Sequence, residues 1–415
     1  MARTQRVPGE RTPRLGPRPL PLHLMAAALT WTSSRAVLPL LRNGSLPWSS
    51  DLRDAGAALQ SQLAHVDPDA FGHAVDRHVR RRMRTLADGI LAYRRHNYRR
   101  DLPEAPEVWR DGTTRLLDFG KAGATPILVV PSLINRAYIL DLTADCSFLR
   151  WLAVQGFRPL LVDWDRPGHE ERDFTLTDYI SGRLDSALDA VLDLSAERPL
   201  VLGYCMGGTL AVALAQRRHA DIAGLALLAT PWDFHADAEA KGALGGLAVK
   251  ALSPVIEALG ELPVDAIQAL FAGLDPQLVP RKFAAFARLD PASREAAVFV
   301  ALEDWLNDGV PLAGPVAREC LSGWYGRNTP AAGQWRVAGR PVDPGRLELP
   351  CLCVIPAHDR IVPPASAEAL AAAIPGAERL TPAAGHIGMV IGRQARTQVW
   401  RPLAAWLEAQ AKGPA

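Results

Sequence analysis

The sequence has almost no charge imbalance, few cysteines and no long apolar run. Its 415 residues include 46 Lys and Arg against 44 Asp and Glu, a formal net charge of +2, which gives no basis for nucleic-acid binding. The five cysteines include no C-x-x-C pair and no cysteine–histidine spacing typical of zinc sites. An odd number of cysteines in a chain of this length favours a reducing compartment over a disulfide scaffold, so we expect a cytoplasmic protein.

Motifs that bind nucleotide phosphates are also absent. No G-x-G-x-x-G opens a helix after the first apolar strand, and no Walker-type lysine follows a glycine loop, so we expect neither a cofactor nor a metal. The apolar stretch from Pro19 to Trp31 is too short to span a membrane. Prolines and His23 also interrupt the continuous apolar core that a signal peptide needs. We therefore expect a disordered basic tail over residues 1–20, followed by a segment near 24–42 that packs on its own domain.

Residues 21–100 have the pattern of an N-terminal helical region. Asp67 and Pro68 provide a helix cap and a first-turn proline, and the apolar residues that follow recur at helical spacing. These apolar residues are Phe71, Val75, Val79, Met83, Leu86 and Ile90. The basic run from Arg77 to Arg84 lies on this helix, and we expect it to form a solvated face in preference to an anion site.

From residue 101 the pattern becomes an alternation of short apolar strands and helices, which indicates a mostly parallel sheet covered by helices on both faces. The expected strands are 115–119, 126–131, 159–164, 199–204, 224–229, 350–356 and 378–381, and the expected helices lie near 146–155, 178–196, 207–218, 365–373 and 394–411. Between about 231 and 349 the alternation stops, and helical stretches with no obvious strand predict a cap insertion. The sequence thus predicts a catalytic domain over 101–415 that contains this cap.

Gly203-Tyr204-Cys205-Met206-Gly207-Gly208 joins an apolar run, Pro199 to Leu202, to a small-residue helical stretch. A strand, a sharp glycine turn and a helix form the context of a nucleophile elbow, here with cysteine at the nucleophile position. The alternative is a glycine-rich turn that contains a buried cysteine. Cys351 and Cys353 fall within an apolar run, and we expect both to fill the core.

An elbow predicts an acid and a base later in the chain, in that order. Asp359 follows the apolar strand near 350–356, and His386 follows the next strand. Loops at the carboxyl ends of neighbouring parallel strands converge, so Asp359 is placed to orient His386, and His386 to deprotonate Cys205. Taken alone, Asp359 is equally well explained as a loop cap. His358 competes with His386, but its adjacency to Asp359 gives it poor geometry for that pairing.

An oxyanion hole needs two fixed N–H donors. The Met206 amide, directly after the nucleophile, is one candidate. The loop after an early strand, Pro131 to Arg136, is expected to provide the other, and we favour the region of Leu133 and Ile134, with Ile134 as the named candidate. Asn135 and Arg136 have an alternative role in bracing this loop.

With these residues identified, the chain resembles the polyhydroxyalkanoate synthase family, which carries a lipase-like box with cysteine at its centre. The stretches that carry the resemblance are Gly203–Gly208, Pro131–Leu142, Asp359–Pro364, Gly385–Gly388 and Tyr93–Arg100. The resemblance covers about residues 90–410. It implies an α/β-hydrolase fold with a helical cap and an N-terminal helical extension, and a catalytic set of Cys205, Asp359 and His386.

The resemblance also implies a reaction, in which the cysteine takes a 3-hydroxyacyl group from coenzyme A and passes it to a hydroxyl of a growing polyester. The coenzyme A thioester is then a substrate and not a cofactor, and the resemblance is compatible with a homodimer and with association with a polyester granule surface. Two alternatives stay open: a thioesterase or polyester depolymerase, and a non-catalytic granule-associated or scaffold protein. Water and alcohol compete for the same thioester, so the sequence does not separate transfer from hydrolysis.

Overall fold

The computed structural model describes residues 13–236 and 251–412. Residues 1–12 of the expected tail lie outside the described residues. The chain divides into two compact units: the first contains residues 13–98 together with 271–307, and the second contains the remaining described residues. Each unit is described separately.

The strands of the described residues are β1 Glu107–Asp111, β2 Thr114–Asp118, β3 Thr125–Val130, β4 Asp141–Thr143, β5 Cys146–Ser147, β6 Phe157–Asp163, β7 Leu200–Tyr204, β8 Gly224–Leu228, β9 Glu261–Leu262, β10 Leu312–Ala313, β11 Arg336–Val337, β12 Arg340–Pro341, β13 Cys351–Val354 and β14 Glu378–Leu380. All of them belong to the second unit.

The α-helices are α1 Leu20–Ala36, α2 Leu38–Arg42, α3 Arg53–Leu63, α4 Pro68–Arg95, α5 Phe148–Val154, α6 Leu176–Asp178, α7 Asp185–Leu194, α8 Met206–Arg217, α9 251–259, α10 Val264–Leu274, α11 Leu278–Phe286, α12 Arg294–Asn307, α13 Gly314–Arg318, α14 Pro364–Ala373, α15 Gly388–Ile391 and α16 Arg401–Ala411. The π-helical segments Tyr179–Leu184, Glu319–Gly326 and Arg396–Trp400 adjoin α7, α13 and α16. Among the described residues, no helix is both long enough and apolar enough to cross a membrane.

One eight-stranded sheet organises the second unit, in the order β1-β2-β6-β3-β7-β8-β13-β14. The pairs from β6 through β3, β7, β8 and β13 to β14 are all parallel, and β1 and β2 are antiparallel at one edge. The central strands are apolar along their whole length because both of their faces are covered. The expected mostly parallel sheet is confirmed, with each of the seven expected strands within a few residues of its expected bounds.

Seven strands of this unit were not expected from the sequence: β1, the pair β4 and β5, and β9 to β12. The expectation of no strand between 231 and 349 is wrong, since the two-residue strands β9 to β12 lie there and pair as β9 with β10 and β11 with β12. β1 was also not expected. It is a polar edge strand, Glu-Val-Trp-Arg-Asp, of which no residue is fully buried, so it lacks the apolar run that identifies the central strands.

The first unit is helical, and it includes part of the segment that the sequence assigned to a cap. One core cluster joins α1, α4, α11 and α12 through Ala27, Trp31, Leu86, Ile90, Tyr93, Val279, Phe283, Phe286, Ala296 and Val300. Residues 271–307 therefore contribute an apolar face to this core, and the expected cap of 231–349 is not one structural unit. Asp67 caps α4 as expected, accepting a 2.7 Å hydrogen bond from the Ala70 amide.

The sequence predicts a disordered tail over residues 1–20, but the carboxyl end of that range packs in the first unit. Arg14 is held within the first unit, because its Nε donates to Asp304 Oδ1 over 2.7 Å and its other guanidinium nitrogens donate to backbone carbonyls of His96 and Tyr98. The Tyr93 hydroxyl donates to the same Asp304 oxygen over 2.9 Å. α1 already begins at Leu20 and buries His23, Ala27 and Trp31, so the segment near 24–42 does pack on its own unit.

A matched pair of glycines on α4 tests the packing of this unit. A Cβ on Gly89 would lie 2.1 Å from the Phe283 carbonyl oxygen, which is backbone, whereas a Cβ on Gly72 would meet the flexible Arg35 side chain at 3.3 Å. We expect Gly89→Ala to lower the free energy of unfolding by about 2 kcal/mol or more, since α11 must move. Gly72→Ala should raise it by up to about 1 kcal/mol through helix propensity. Urea unfolding measures both, and equal effects would contradict the close approach of α4 and α11.

Candidate active site

Cys205 lies at the sharp turn between β7 and α8, in a backbone conformation that non-glycine residues rarely adopt. Its φ is 56° and its ψ is −130°, and such a residue persists only where the surrounding structure holds it. Two hydrogen bonds do so: the Cys205 amide donates to Leu228 O over 2.8 Å, and the Gly208 amide donates to Cys205 O over 2.9 Å. The turn therefore has the geometry of a nucleophile elbow, with the cysteine at the carboxyl edge of the sheet.

Glycines allow the elbow to be this tight. A Cβ on Gly207 would lie 2.1 Å from the Val130 carbonyl oxygen, and a Cβ on Gly203 would lie 2.4 Å from the Cα of Gly208. Both obstructions are backbone atoms, so neither can give way as a flexible side chain would. The start of α8 consequently packs against the end of β3, which brings the first amides of α8 next to the loop that begins at Pro131.

Asp359 and His386 meet above the neighbouring strands, as expected. His386 Nδ1 and Asp359 Oδ2 are 2.7 Å apart, and their side chains are only 7% and 0% exposed. The other Asp359 oxygen accepts hydrogen bonds from the amides of Ile361 and Val362, over 2.8 and 2.9 Å. Asp359 therefore fixes the loop after β13 and orients the His386 ring at the same time.

Cys205 lies beside the same imidazole, close enough to influence its titration, so the site brings Cys205, His386 and Asp359 together. Burial alone lowers the pKa of His386, but the interactions with Cys205 and with Asp359 outweigh it and raise that pKa to about 10. The site therefore stabilises the charged form of the imidazole.

Tyr204 is a further residue of the site, one to which the sequence analysis assigned no role. Its hydroxyl donates to the His386 carbonyl oxygen over 3.3 Å, and its ring centroid lies 5.3 Å from that of the His386 imidazole. Burial, and then the charges of Cys205 and Asp359, raise the pKa of Tyr204 well above its usual value, so the phenol stays neutral and can donate. Its only sequence signal is its position next to Cys205 in the elbow, where a polar group at the end of an apolar strand needs a partner.

The two expected oxyanion donors, the backbone amides of Met206 and Ile134, differ in their hydrogen-bond surroundings. Met206 is the first residue of α8, and amides in the first turn of a helix have no partner within the helix. The Ile134 amide donates to Ser132 Oγ over 3.0 Å. Asn135 and Arg136 do brace this loop, since Asn135 Oδ1 accepts from Gln268 Nε2 over 3.3 Å and Arg136 forms an ion pair with Asp165.

The remaining candidates from the sequence lie away from this arrangement. His358 is exposed, whereas Asp359 and His386 are buried. Cys351 and Cys353 are buried in β13, and burial raises the pKa of each thiol to about 12, which confirms that they fill the core. Within residues 13–236 and 251–412, no cluster of three His, Cys, Asp or Glu side chains could hold a metal ion.

Curated relatives support the resemblance seen in the sequence. The poly(3-hydroxyalkanoate) polymerase subunit PhaC of Haloferax mediterranei is 31% identical over 72% of this chain and 62% of its own length. The PhaC subunit of Synechocystis sp. is 29% identical over 68% of this chain and 77% of its own length. The chain spans 62% of the length of the Haloferax relative and the same share of the PhaC subunit of Haloarcula marismortui.

The chain also matches a family model and is similar to solved structures. A solved monoacylglycerol lipase from Paleococcus ferrophilus is 17% identical, covers 72% of this chain and 99% of its own, and has a TM-score of 0.47. The family model described as "alpha/beta hydrolase fold" matches residues 125–392, more than half of the chain. The chain belongs to the α/β-hydrolase family and, within it, resembles the polyhydroxyalkanoate synthases.

Proposed function

We propose that the chain is an acyltransferase of the polyhydroxyalkanoate synthase type, which moves 3-hydroxyacyl groups from coenzyme A through a thioester on Cys205 to a hydroxyl. The observation that carries this proposal is the placement of Cys205, on a strained elbow, beside the buried pair of His386 and Asp359. The relatives that cover most of the chain are named as polymerases, which favours transfer over hydrolysis.

In the proposed loading step, Cys205 Sγ attacks the carbonyl carbon of the coenzyme A thioester as a thiolate. His386 holds the proton that the sulfur has given up, and its raised pKa of about 10 keeps the imidazolium in place before attack. Collapse of the tetrahedral intermediate breaks the bond to the coenzyme A sulfur, which leaves with the proton from His386. The Met206 amide and a second amide of the Pro131–Arg136 loop are the proposed donors to the oxyanion.

In the proposed transfer step, neutral His386 accepts the proton of an acceptor hydroxyl, and the oxygen attacks the acyl carbonyl carbon. The Cys205 sulfur then leaves as a thiolate, which restores the starting ion pair with the imidazolium. Asp359 keeps Nδ1 of His386 protonated throughout, so Nε2 is the atom that exchanges protons. The same proposal has three further parts. The acceptor hydroxyl belongs to a growing polyester chain, the protein forms a homodimer, and it associates with a granule surface in the cytoplasm.

Replacement of Cys205 tests the nucleophile. With 3-hydroxybutyryl-coenzyme A and the purified full chain, we expect Cys205→Ala to reduce thiol release by at least about 10³-fold, since the proposed acyl-enzyme forms on the Cys205 sulfur. Cys205→Ser should be far slower than the parent, because a hydroxyl needs more activation than a thiol. Thiol release is followed with a chromogenic disulfide, and the insoluble polymer is weighed and identified by methanolysis.

The matched control is Cys146→Ala, which removes a partly exposed free cysteine outside the site and should leave both readouts unchanged. Thiol release with free 3-hydroxy acid as the sole product would contradict transfer and favour a thioesterase. Full activity in Cys205→Ala would contradict the assignment of the nucleophile.

The raised pKa of His386 predicts a titration that depends on Cys205. Interactions with Cys205 and Asp359 raise the pKa of His386 to about 10, so the imidazolium is present below that pH and is lost as the pH rises through it. Cys205→Ala removes one of these two interactions while burial continues to act, and the pKa of His386 should fall. Long-range ¹H–¹⁵N spectra of the imidazole, recorded between pH 5 and pH 11, measure this shift.

Cys146→Ala is again the control, and its His386 titration should match the parent. If the His386 titration is the same in Cys205→Ala and in the parent, the sulfur does not interact with the imidazole. The measurement needs no substrate, so it tests the ion pair independently of the reaction.

A further inference from the structure

We infer that a groove between α1 and α4, in the first unit, binds a small organic molecule through its phosphate group. The groove has a volume of about 570 Å³ and is lined by Trp31, Ser34, Ala74, Val75, Arg77, His78, Val79, Arg81 and Arg82. All of these residues lie in α1 and α4, so the groove is complete within one unit. The inference does not depend on the proposed acyl transfer.

Three arginine side chains line the groove, and no carboxylate is paired with them among the described residues. Arg77 and Arg81 are four residues apart and share one face of α4, Arg82 follows, and the Arg81 guanidinium contacts His78 Nδ1 at 3.1 Å. No lining residue is acidic, and within the described part of the chain none of the three arginines has a carboxylate partner. The nearby Asp76 is already paired with Arg35 at 3.0 Å. The basic run is exposed, as expected from the sequence, and three of its arginines border the groove.

Trp31 supplies a second, independent observation. Trp31 is only 6% exposed. Its Nε1 is a buried hydrogen-bond donor that has no acceptor among the described residues. The Arg82 guanidinium lies 4.4 Å above the indole ring, so one wall of the groove combines a cation with an aromatic face. A buried N–H without an acceptor is unusual in a folded protein, and it lies in a residue that lines the groove.

The chemistry of the lining identifies the class of ligand. Three guanidinium groups exceed what one carboxylate can neutralise, whereas a phosphate carries about two charges and several oxygens that match the guanidinium geometry. The volume is that of a small-molecule site, and Ala74, Val75 and Val79 offer apolar surface to the body that carries the phosphate. Both a soluble organic phosphate and a phospholipid headgroup have this chemistry.

The test uses the full chain and two forms of the phosphate group. Isothermal titration with ADP represents the soluble source, and co-sedimentation with phosphatidylglycerol vesicles, compared with phosphatidylcholine vesicles, represents the headgroup. In at least one arm we expect saturable binding that Arg77→Gln with Arg81→Gln weakens tenfold or more. The matched control is Arg80→Gln with Arg84→Gln, which makes the same charge change at exposed positions of α4 outside the groove and should weaken binding less than threefold.

A spectroscopic readout identifies the groove directly. The indole N–H resonance of Trp31, assigned by its disappearance in Trp31→Phe, should shift when the bound probe is added to the ¹⁵N-labelled protein. Binding in one arm alone assigns the source of the phosphate. Absence of binding in both arms, equal losses in the two double variants, or an unmoved Trp31 resonance at saturation would each overturn the inference.

Discussion

The site depends on the backbone conformation of Cys205. A non-glycine residue at this φ and ψ costs on the order of 1–3 kcal/mol, so other interactions must hold it. The Cys205 amide bonds to Leu228 O at 2.8 Å, at the point where Tyr204 and Leu228 are paired in the parallel register of β7 and β8. The conformation that presents the sulfur is therefore fixed by the sheet, and a shift of β7 against β8 would remove the elbow together with the pairing.

The strands were predictable from the sequence wherever both faces of the sheet are covered. β3, β6, β7, β8 and β13 are apolar runs in which almost every residue is buried. β1 was not predicted, because its residues Glu-Val-Trp-Arg-Asp form no apolar run. The placement of residues 271–307 with the N-terminal helices was not predictable either, because it depends on packing between segments far apart in the chain, which local patterns do not record.

Some residues of the candidate site could also be predicted from the sequence, and others could not. Cys205, Asp359 and His386 could be identified because each follows a recognisable strand, and strand ends converge at one edge of a parallel sheet. Tyr204 could not, since its contact with the His386 carbonyl depends on the approach of a loop far along the chain to the end of β7. The hydrogen bond from the Ile134 amide to Ser132 Oγ depends on the exact course of the loop, which residue types alone do not determine.

The two explanations that the sequence left open for Asp359 are both correct, and they depend on each other. One carboxylate oxygen holds the Ile361 and Val362 amides, and the other holds His386 Nδ1. All three partners are donors, so the arrangement suits a carboxylate, which only accepts, and leaves no acceptor for a protonated acid. The bonds that cap the loop also fix the direction from which Asp359 meets the imidazole. Nε2 of His386 is thereby left for Cys205, which is the geometry that proton exchange with the sulfur requires.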